Sequence, residues 1–298
     1  MSKVPANTST TPEIISSGRR SFGQLSHIGL LLGTAIVAVL LLMAILAPLL
    51  APYDPYVQSL SARFTPPVWM HGGSWEHPLG MDQLGRDYLS RIMYGAQISL
   101  AIGIGTALIS GIIGTAIGVC GGYFGGKVDS VAMFIITARL AVPIVLVALA
   151  VVALAGSSFT VVLLTLGLLL WDRFALVARA TTIQLRSSEF VTAAELQGAS
   201  LFQIIAHQIL PNLVNNIVIV ATLEMASAMI LEAALSFLGL GVPAPLPSWG
   251  LMISEGKASI LFEPWLITIP GVFLFILILG TNLLGDGWRD VLSPTGRN

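Results

Sequence analysis

Charge is scarce in this sequence. Of 298 residues only 10% are Asp, Glu, Lys or Arg, whereas 55% are hydrophobic and the mean hydropathy is +0.87. Such a composition lies outside the range of soluble globular domains and makes the bilayer the expected solvent. The 14 basic and 15 acidic residues nearly cancel, so the basic face of a nucleic-acid-binding protein is missing. A single cysteine, Cys120, excludes an internal disulfide. Set in AIGVCGGYF, it reads as a small buried packing residue, because a reactive thiol needs a nearby cation. The four histidines, His27, His71, His77 and His207, lack the spacing of a metal site. Neither a G-x-S-x-G elbow nor paired catalytic carboxylates occurs in the apolar runs. A membrane-embedded hydrolase would need a nucleophile and base there, and none is placed.

What is abundant is long apolar sequence. A helix crossing a hydrocarbon core of about 30 Å needs about 20 residues, and six runs approach that length: roughly 29–50, 97–120, 130–155, 159–178, 213–237 and 265–284. Asp172 and Arg173 interrupt the fourth. The expected fold class is therefore an all-α integral membrane protein with six transmembrane helices. With the N-terminus inside, the cytoplasmic segments hold Lys3, Arg19, Arg20, Lys127, Arg173, Arg179, Arg186, Arg289 and Arg297, and the opposite face holds only Arg63, Arg86, Arg91 and Lys257. Cytoplasmic connections carry the excess of Lys and Arg, so both termini are expected in the cytoplasm.

Residues 1–28, rich in Ser, Thr and Pro, read as a mobile tail, and 285–298 as a second cytoplasmic tail. GRRSFGQL resembles a twin-arginine export signal, but the run that follows is too long for a signal segment, so 29–50 is expected to remain as the first helix. Residues 51–96 form an outward-facing segment in which 82–95 reads as a surface helix. A second outward loop, GVPAPLPSWGLMISEGKASILFEP, is too rich in proline at its start to be helical there. No internal repeat is evident. Nor are inverted repeats or helices broken at midspan, the marks of a self-contained secondary transporter or channel, which is the alternative reading.

GGYFGGKV nearly spells a phosphate-binding loop, with Gly121, Gly126 and Lys127 in register, but Val128 stands where a hydroxyl should hold magnesium. Nucleotide chemistry must therefore come from another chain. Gly114, Gly118 and Gly122 recur every fourth residue and leave one helix face without side chains, a signal of close helix packing. Arg139, Glu224 and Glu232 are ionisable groups within spans. Each costs about 2.5–3.5 kcal/mol at a helix centre, so such groups usually face a bundle interior or a water-filled path. Glu224 and Glu232 fall within about 80° of each other on one helix. They are candidates both for lining a translocation path with Arg139 and for structural pairing.

The most polar stretch between spans is EFVTAAELQGASLFQIIAHQILPN, residues 189–212, which overlaps the expected cytoplasmic coupling segment 185–211. A helix over about 190–197 is expected to close at Gly198 in the left-handed conformation. Ser200 and Gln203 then form a capping box that starts a second helix at 201. Phe190, Ala193 and Ala194 cluster while Thr192, Glu195 and Gln197 stay polar. Because 187–206 contains no Lys or Arg, a protein is a better partner for this surface than lipid headgroups.

At these residues the chain resembles the integral-membrane permeases of binding-protein-dependent ABC importers. The family signature reads E-A-A, three residues, G, nine residues, I, one residue, L-P. Thr192, Ala193 and Ala194 stand at E-A-A, Gly198 at the glycine, Gln208 where Ile is expected, and Leu210 and Pro211 at the end. HPLGMDQLGRDYLSRIMYGAQISL, GGYFGGKVD, EAALSFLGLGVPAPLPSWG and NLLGDGWRDVLSP are similar to the second permease subunit of the dipeptide, oligopeptide and nickel branch. Phe134, Thr137 and Leu176 depart from that branch's charged residues. The resemblance implies a type I importer permease fold, with a core over 97–284, that pairs with a homologous permease as a heterodimer in the bacterial inner membrane. It also implies two ATP-binding subunits inside, a solute-binding protein outside, and no cofactor in this chain, with ATP and magnesium held by the ATPases. The segment 190–206 would be the coupling helix, with Thr192, Ala193, Ala194, Gly198, Ala199, Ser200, Leu210 and Pro211 at the ATPase.

Overall fold

The computed structural model describes residues 19–292, with side chains from 28 to 291. Lys3 and Arg297 in the expected tails lie outside the described residues, as do the side chains of Arg19, Arg20 and His27. The elements are α1 (Arg19–Leu50), α2 (Tyr88–Phe124), α3 (Gly126–Leu140), α4 (Ile144–Ala155), α5 (Phe159–Leu169), α6 (Asp172–Arg186), α7 (Glu189–Leu196), α8 (Leu201–Ile204), α9 (Leu210–Phe237), α10 (Trp249–Gly256) and α11 (Trp265–Leu292). Among the described residues five helical stretches are long and apolar enough to cross a bilayer, and six if α3 and α4 count as one bent span.

Several boundaries differ from expectation, each for a local reason. Residues 19–28, read as tail, continue α1, because extending an existing helix requires no new nucleus. No surface helix spans 82–95. Instead Asp87 caps α2, its carboxylate accepting from the Ser90 N–H at 2.7 Å, so the span begins at Tyr88. At the other end of the chain α11 runs to Leu292 and includes the first part of the expected tail.

Two spans are broken, contrary to the sequence reading. The chain turns by 80° between α3 and α4. Pro143 sits at that corner, where a proline both lacks the N–H that would continue the helix and pushes the preceding residue away from helical geometry. A second break, at Leu170 and Trp171, separates α5 from α6. Pro211 is also absorbed rather than starting a new helix. Over Ile205–Ile209 the chain takes one π-helical turn, in which the Leu210 N–H reaches back to the Ile205 carbonyl, so that α8 runs continuously into α9.

The bundle is organised around α2. Its glycine face meets α6 backbone to backbone: a Cβ on Gly114 would strike the Trp171 carbonyl and stand 2.6 Å from the Phe174 Cβ, and one on Gly118 would strike the Ala175 carbonyl and stand 2.7 Å from the Ala178 Cβ. Gly122 repeats the contact one turn on, against the Arg179 carbonyl and Thr182. Cys120, about 200° around the helix from Gly118, is exposed rather than buried. It lines an apolar groove of about 740 Å³ between α2 and α9, with Ile112, Ala116, Leu210 and Ile217 along its walls.

α1 and α11 lie side by side, Leu40, Ala44 and Leu277 sharing one core with Tyr88, Trp249 and Trp265. Filling the α2–α6 seam should cost more than filling open space. Gly118→Leu is expected to destabilise the purified protein by about 1–3 kcal/mol, the usual penalty for overpacking, whereas Gly271→Ala, with nothing within 4 Å, should leave thermal unfolding in detergent nearly unchanged.

Candidate functional site

The polar stretch between spans folds into the corner its capping residues demand. Gly198 has φ +80° and closes α7 with a Schellman pair, in which the Ala199 N–H bonds the Ala194 carbonyl and the Gly198 N–H the Glu195 carbonyl, both at 3.0 Å. No atom lies within 4 Å of a Cβ placed there, so backbone conformation and not crowding requires glycine. Ser200 starts α8 with a reciprocal capping box, its N–H donating to Gln203 Oε1 at 2.8 Å while the Gln203 N–H donates to Ser200 Oγ at 3.4 Å.

Thr192, Ala193, Gly198 and Ser200 are exposed along this corner, with Ala194 and Ala199 half-buried beside them. Leu210 and Pro211 stand apart, beyond the π turn, and Leu210 lines the apolar groove. The most conspicuous exposed groups are ones the sequence reading passed over. Leu196 is 85% and Phe202 75% exposed, on either side of the glycine. Large apolar side chains next to a polar Gln-Gly turn were the available signal.

Beneath the corner, Val191, Ile204 and Ile209 are buried with Tyr123, from the last turn of α2. The Tyr123 hydroxyl donates to Glu195 Oε1 at 3.4 Å, and the Arg186 guanidinium stacks over the Tyr123 ring at 5.5 Å. Arg179 on α6 grips Asp129 on α3 with two guanidinium nitrogens, Nε donating to Oδ1 and Nη2 to Oδ2 at 2.6 Å. Tyr123 and Arg186 thus fasten the corner to the ends of α2 and α6, and the Arg179–Asp129 pair ties α3 to α6.

The three intramembrane charges do not form one cluster. Arg139 donates through Nε to the Leu169 carbonyl at 2.8 Å, and through Nη2 to the same oxygen. It thereby satisfies the open end of α5 at the span break. Glu232 accepts from the hydroxyls of Ser236 at 2.8 Å and Ser248 at 2.9 Å, anchoring the loop before α10 to α9. Glu224, one face but two turns away, meets α6 instead, its Oε1 lying 3.0 Å from Arg173 Nη1. Neither Glu224 oxygen has a hydrogen bond of good geometry, so the pair is an ion pair by distance. Among the described residues no group of His, Cys, Asp and Glu suits a metal.

A family profile described as binding-protein-dependent transport system inner membrane component matches residues 89–297, and one for the N-terminal transmembrane domain of oligopeptide transport permease C matches 26–67. The chain belongs to this family of inner-membrane permeases.

Relatives of this permease include the dipeptide transport system permease protein DppC of Alkalihalophilus pseudofirmus, 38% identical over 98% of this chain and 95% of that one. DppC of Haemophilus influenzae is 35% identical over 89% and 90%. The oligopeptide transport system permease protein OppC of Bacillus subtilis is 37% identical over 89% and 85%. An inward-facing structure of the MetNI methionine ABC transporter aligns with 68% of this chain and 96% of that chain, at a TM-score of 0.57 and 15% identity. That likeness bears on fold alone, and it is the fold of a type I importer permease. The permease is a non-enzymatic, multi-pass component of an inner-membrane transport system. Its broken spans are therefore features of an importer subunit and not of a self-contained carrier.

At the other end of α2 the segment HPLGMDQLGRDYLSRIMYGAQISL carries an ion network that is closed by Glu255 on α10. Asp82 accepts from Arg86 Nε at 2.6 Å and Arg91 Nη1 at 2.5 Å, while Glu255 on α10 accepts from the same two arginines at 3.0 and 2.7 Å. Asp82, Arg86 and Arg91 are buried. The charges look like ordinary loop residues in sequence because their partner is 164 positions from Arg91. Removing one member of a buried ion network costs about 3–5 kcal/mol. Asp82→Asn is accordingly expected to lower thermal stability sharply in detergent, with exposed Glu76→Gln changing it by no more than about 0.5 kcal/mol.

Proposed function

We propose that this permease carries peptides, or a closely related small solute, across the bacterial inner membrane. It would pair as a heterodimer with a homologous permease, with both termini cytoplasmic, two ATP-binding subunits inside and a solute-binding protein outside. The dipeptide and oligopeptide names of its relatives support the solute class. The excess of Lys and Arg on one set of connections supports the orientation and persists without Arg173, which lies within the span Phe159–Arg186 rather than in a connection. ATP and magnesium belong to the ATPase subunits in this reading. The near phosphate-loop GGYFGGKV is a helix end followed by the start of α3, with Val128 exposed.

The observation that carries the energy-coupling role is the corner over Glu189–Ile204. It presents Leu196 and Phe202 outward on a frame set by the Schellman closure and the capping box. Large apolar side chains rimmed by Thr192, Gln197 and Ser200 have the make-up of a docking patch, an apolar centre with a polar margin. In the proposed assembly this patch seats on an ATPase subunit. The small residues Ala193, Ala194 and Ala199 let the partner approach the helix. Leu210 and Pro211 belong to the joint that connects the patch to α9 rather than to the patch itself. Tyr123 and Val191 then pass displacement of α7 to α2, and Arg179–Asp129 keeps α3 and α6 moving with it. Arg139, Glu224 and Glu232 are assigned differing roles. Glu232 holds the end of α9, Arg139 holds the broken span, and Glu224 with Arg173 lies on the translocation path.

Gly198→Val tests the coupling role. A β-branched residue in left-handed conformation carries a penalty of about 1–2 kcal/mol, with no crowding to confuse the result. The expected outcome is an importer that assembles and takes up solute poorly, its ATP hydrolysis no longer stimulated by the loaded binding protein. Normal stimulation with the variant would refute coupling through this corner.

A further inference from the structure

Arg173 combines three circumstances that the assembly described above leaves unexplained. It stands near the middle of the apolar span Phe159–Arg186, yet its side chain is 60% exposed. Its ion-pair partner Glu224, near the middle of α9, is only 1% exposed, and among the described residues neither of its carboxylate oxygens has a hydrogen-bond partner. Both helix breaks flank the pair, since α6 begins one residue before Arg173 and Arg139, just ahead of the α3–α4 corner, donates to Leu169 at the end of α5. Irregular backbone at membrane depth is tolerated only where it is buried in protein or lines a watery cavity. An arginine turned to lipid at that depth would be strongly disfavoured.

The charges that act on Glu224 are the paired Arg173, the neighbouring Asp172 and, more weakly, Arg139. Arg139 is committed to the Leu169 carbonyl, Asp172 is buried, and Glu224 is buried behind Arg173. The exposed member of the pair is therefore Arg173, whose guanidinium places one nitrogen, Nη1, 3.0 Å from Glu224 while its side chain remains 60% exposed. A planar guanidinium edge matches a carboxylate with two parallel hydrogen bonds.

We propose that Arg173, oriented by Glu224, is a mid-membrane recognition site for a carboxylate of the solute in transit. This rests on the reading that the Arg173–Glu224 face lies on the translocation path. The site contacts the solute directly through Arg173, with Glu224 as its positioning residue. It makes the permease itself a second filter after the binding protein, selecting solutes with a free carboxylate.

The test uses the complete importer in proteoliposomes, in a Cys120→Ser background, with Ala-Ala and its C-terminal amide each at saturating binding-protein occupancy. In Arg173→Gln with Glu224→Gln, which leaves neither partner's charge unpaired, uptake of Ala-Ala is expected to fall about tenfold or more relative to the amide. ATP hydrolysis stimulated by the loaded binding protein should persist. An equal loss for both peptides overturns the proposal and makes the pair structural. Should that variant fail to assemble, Arg173→Lys is read in the same way, because lysine keeps the charge without the planar fork.

A membrane-impermeant thiol reagent applied to Arg173→Cys with Glu224→Gln separates the two levels of the argument. Labelling that saturating Ala-Ala blocks supports the site. No labelling from either side overturns the pathway reading together with the proposal, as it would if a second permease covered Arg173. Labelling without any distinction between the two peptides overturns the carboxylate assignment alone.

Discussion

The approach of α2 to α6 over Gly114, Gly118 and Gly122 is the constraint on which the rest of this structure depends. Lipid gives apolar side chains no reason to leave it for one another, so two membrane helices bind tightly only where their backbones come close and dispersion contacts are dense. Three glycines at successive turns on one face of α2 supply that. Because α6 ends in the polar corner and α2 ends in Tyr123 beneath it, the seam turns the corner into an extension of the bundle.

The same seam governs what faces outward. With one side of α2 occupied by α6, the opposite side carries Ile112, Ala116 and Cys120 along an apolar groove shared with α9. On α6, burying Phe174, Ala175 and Ala178 leaves Arg173 on the free side at the level of Glu224. Thus the glycine spacing of one helix sets where the neighbouring helix shows its charge. At the far end the Asp82, Arg86, Arg91 and Glu255 network holds the start of α2 to α10, so the central helix is fixed at both ends.

Much of the architecture was legible in the residues. Span number followed from apolar run length, and the corner followed from Gly198 and Ser200 because capping is local chemistry that needs no tertiary knowledge. The glycine face was legible for the same reason. What was not legible depends on partners distant in sequence or on cooperative adjustment. Pro143 lies inside an unbroken apolar run, which hid the 80° turn, and Pro211 looked like a helix start although a π turn carries the helix through it. Cys120 was expected inside because its neighbours are small, but those neighbours mark the opposite helix face. Glu224 and Glu232 share a face and still serve different partners, since one meets α6 and the other Ser248.

The central claim is that the corner around Gly198 is where this permease meets its ATPase. Site-specific photocrosslinking in membranes containing the whole importer tests it most directly, with a photoreactive phenylalanine analogue placed at Leu196, at Phe202, or at exposed Trp75 as the control. ATPase adducts are expected from Leu196 and Phe202 and none from Trp75. An ATPase adduct from Trp75, or only lipid adducts from Leu196 and Phe202, would contradict it.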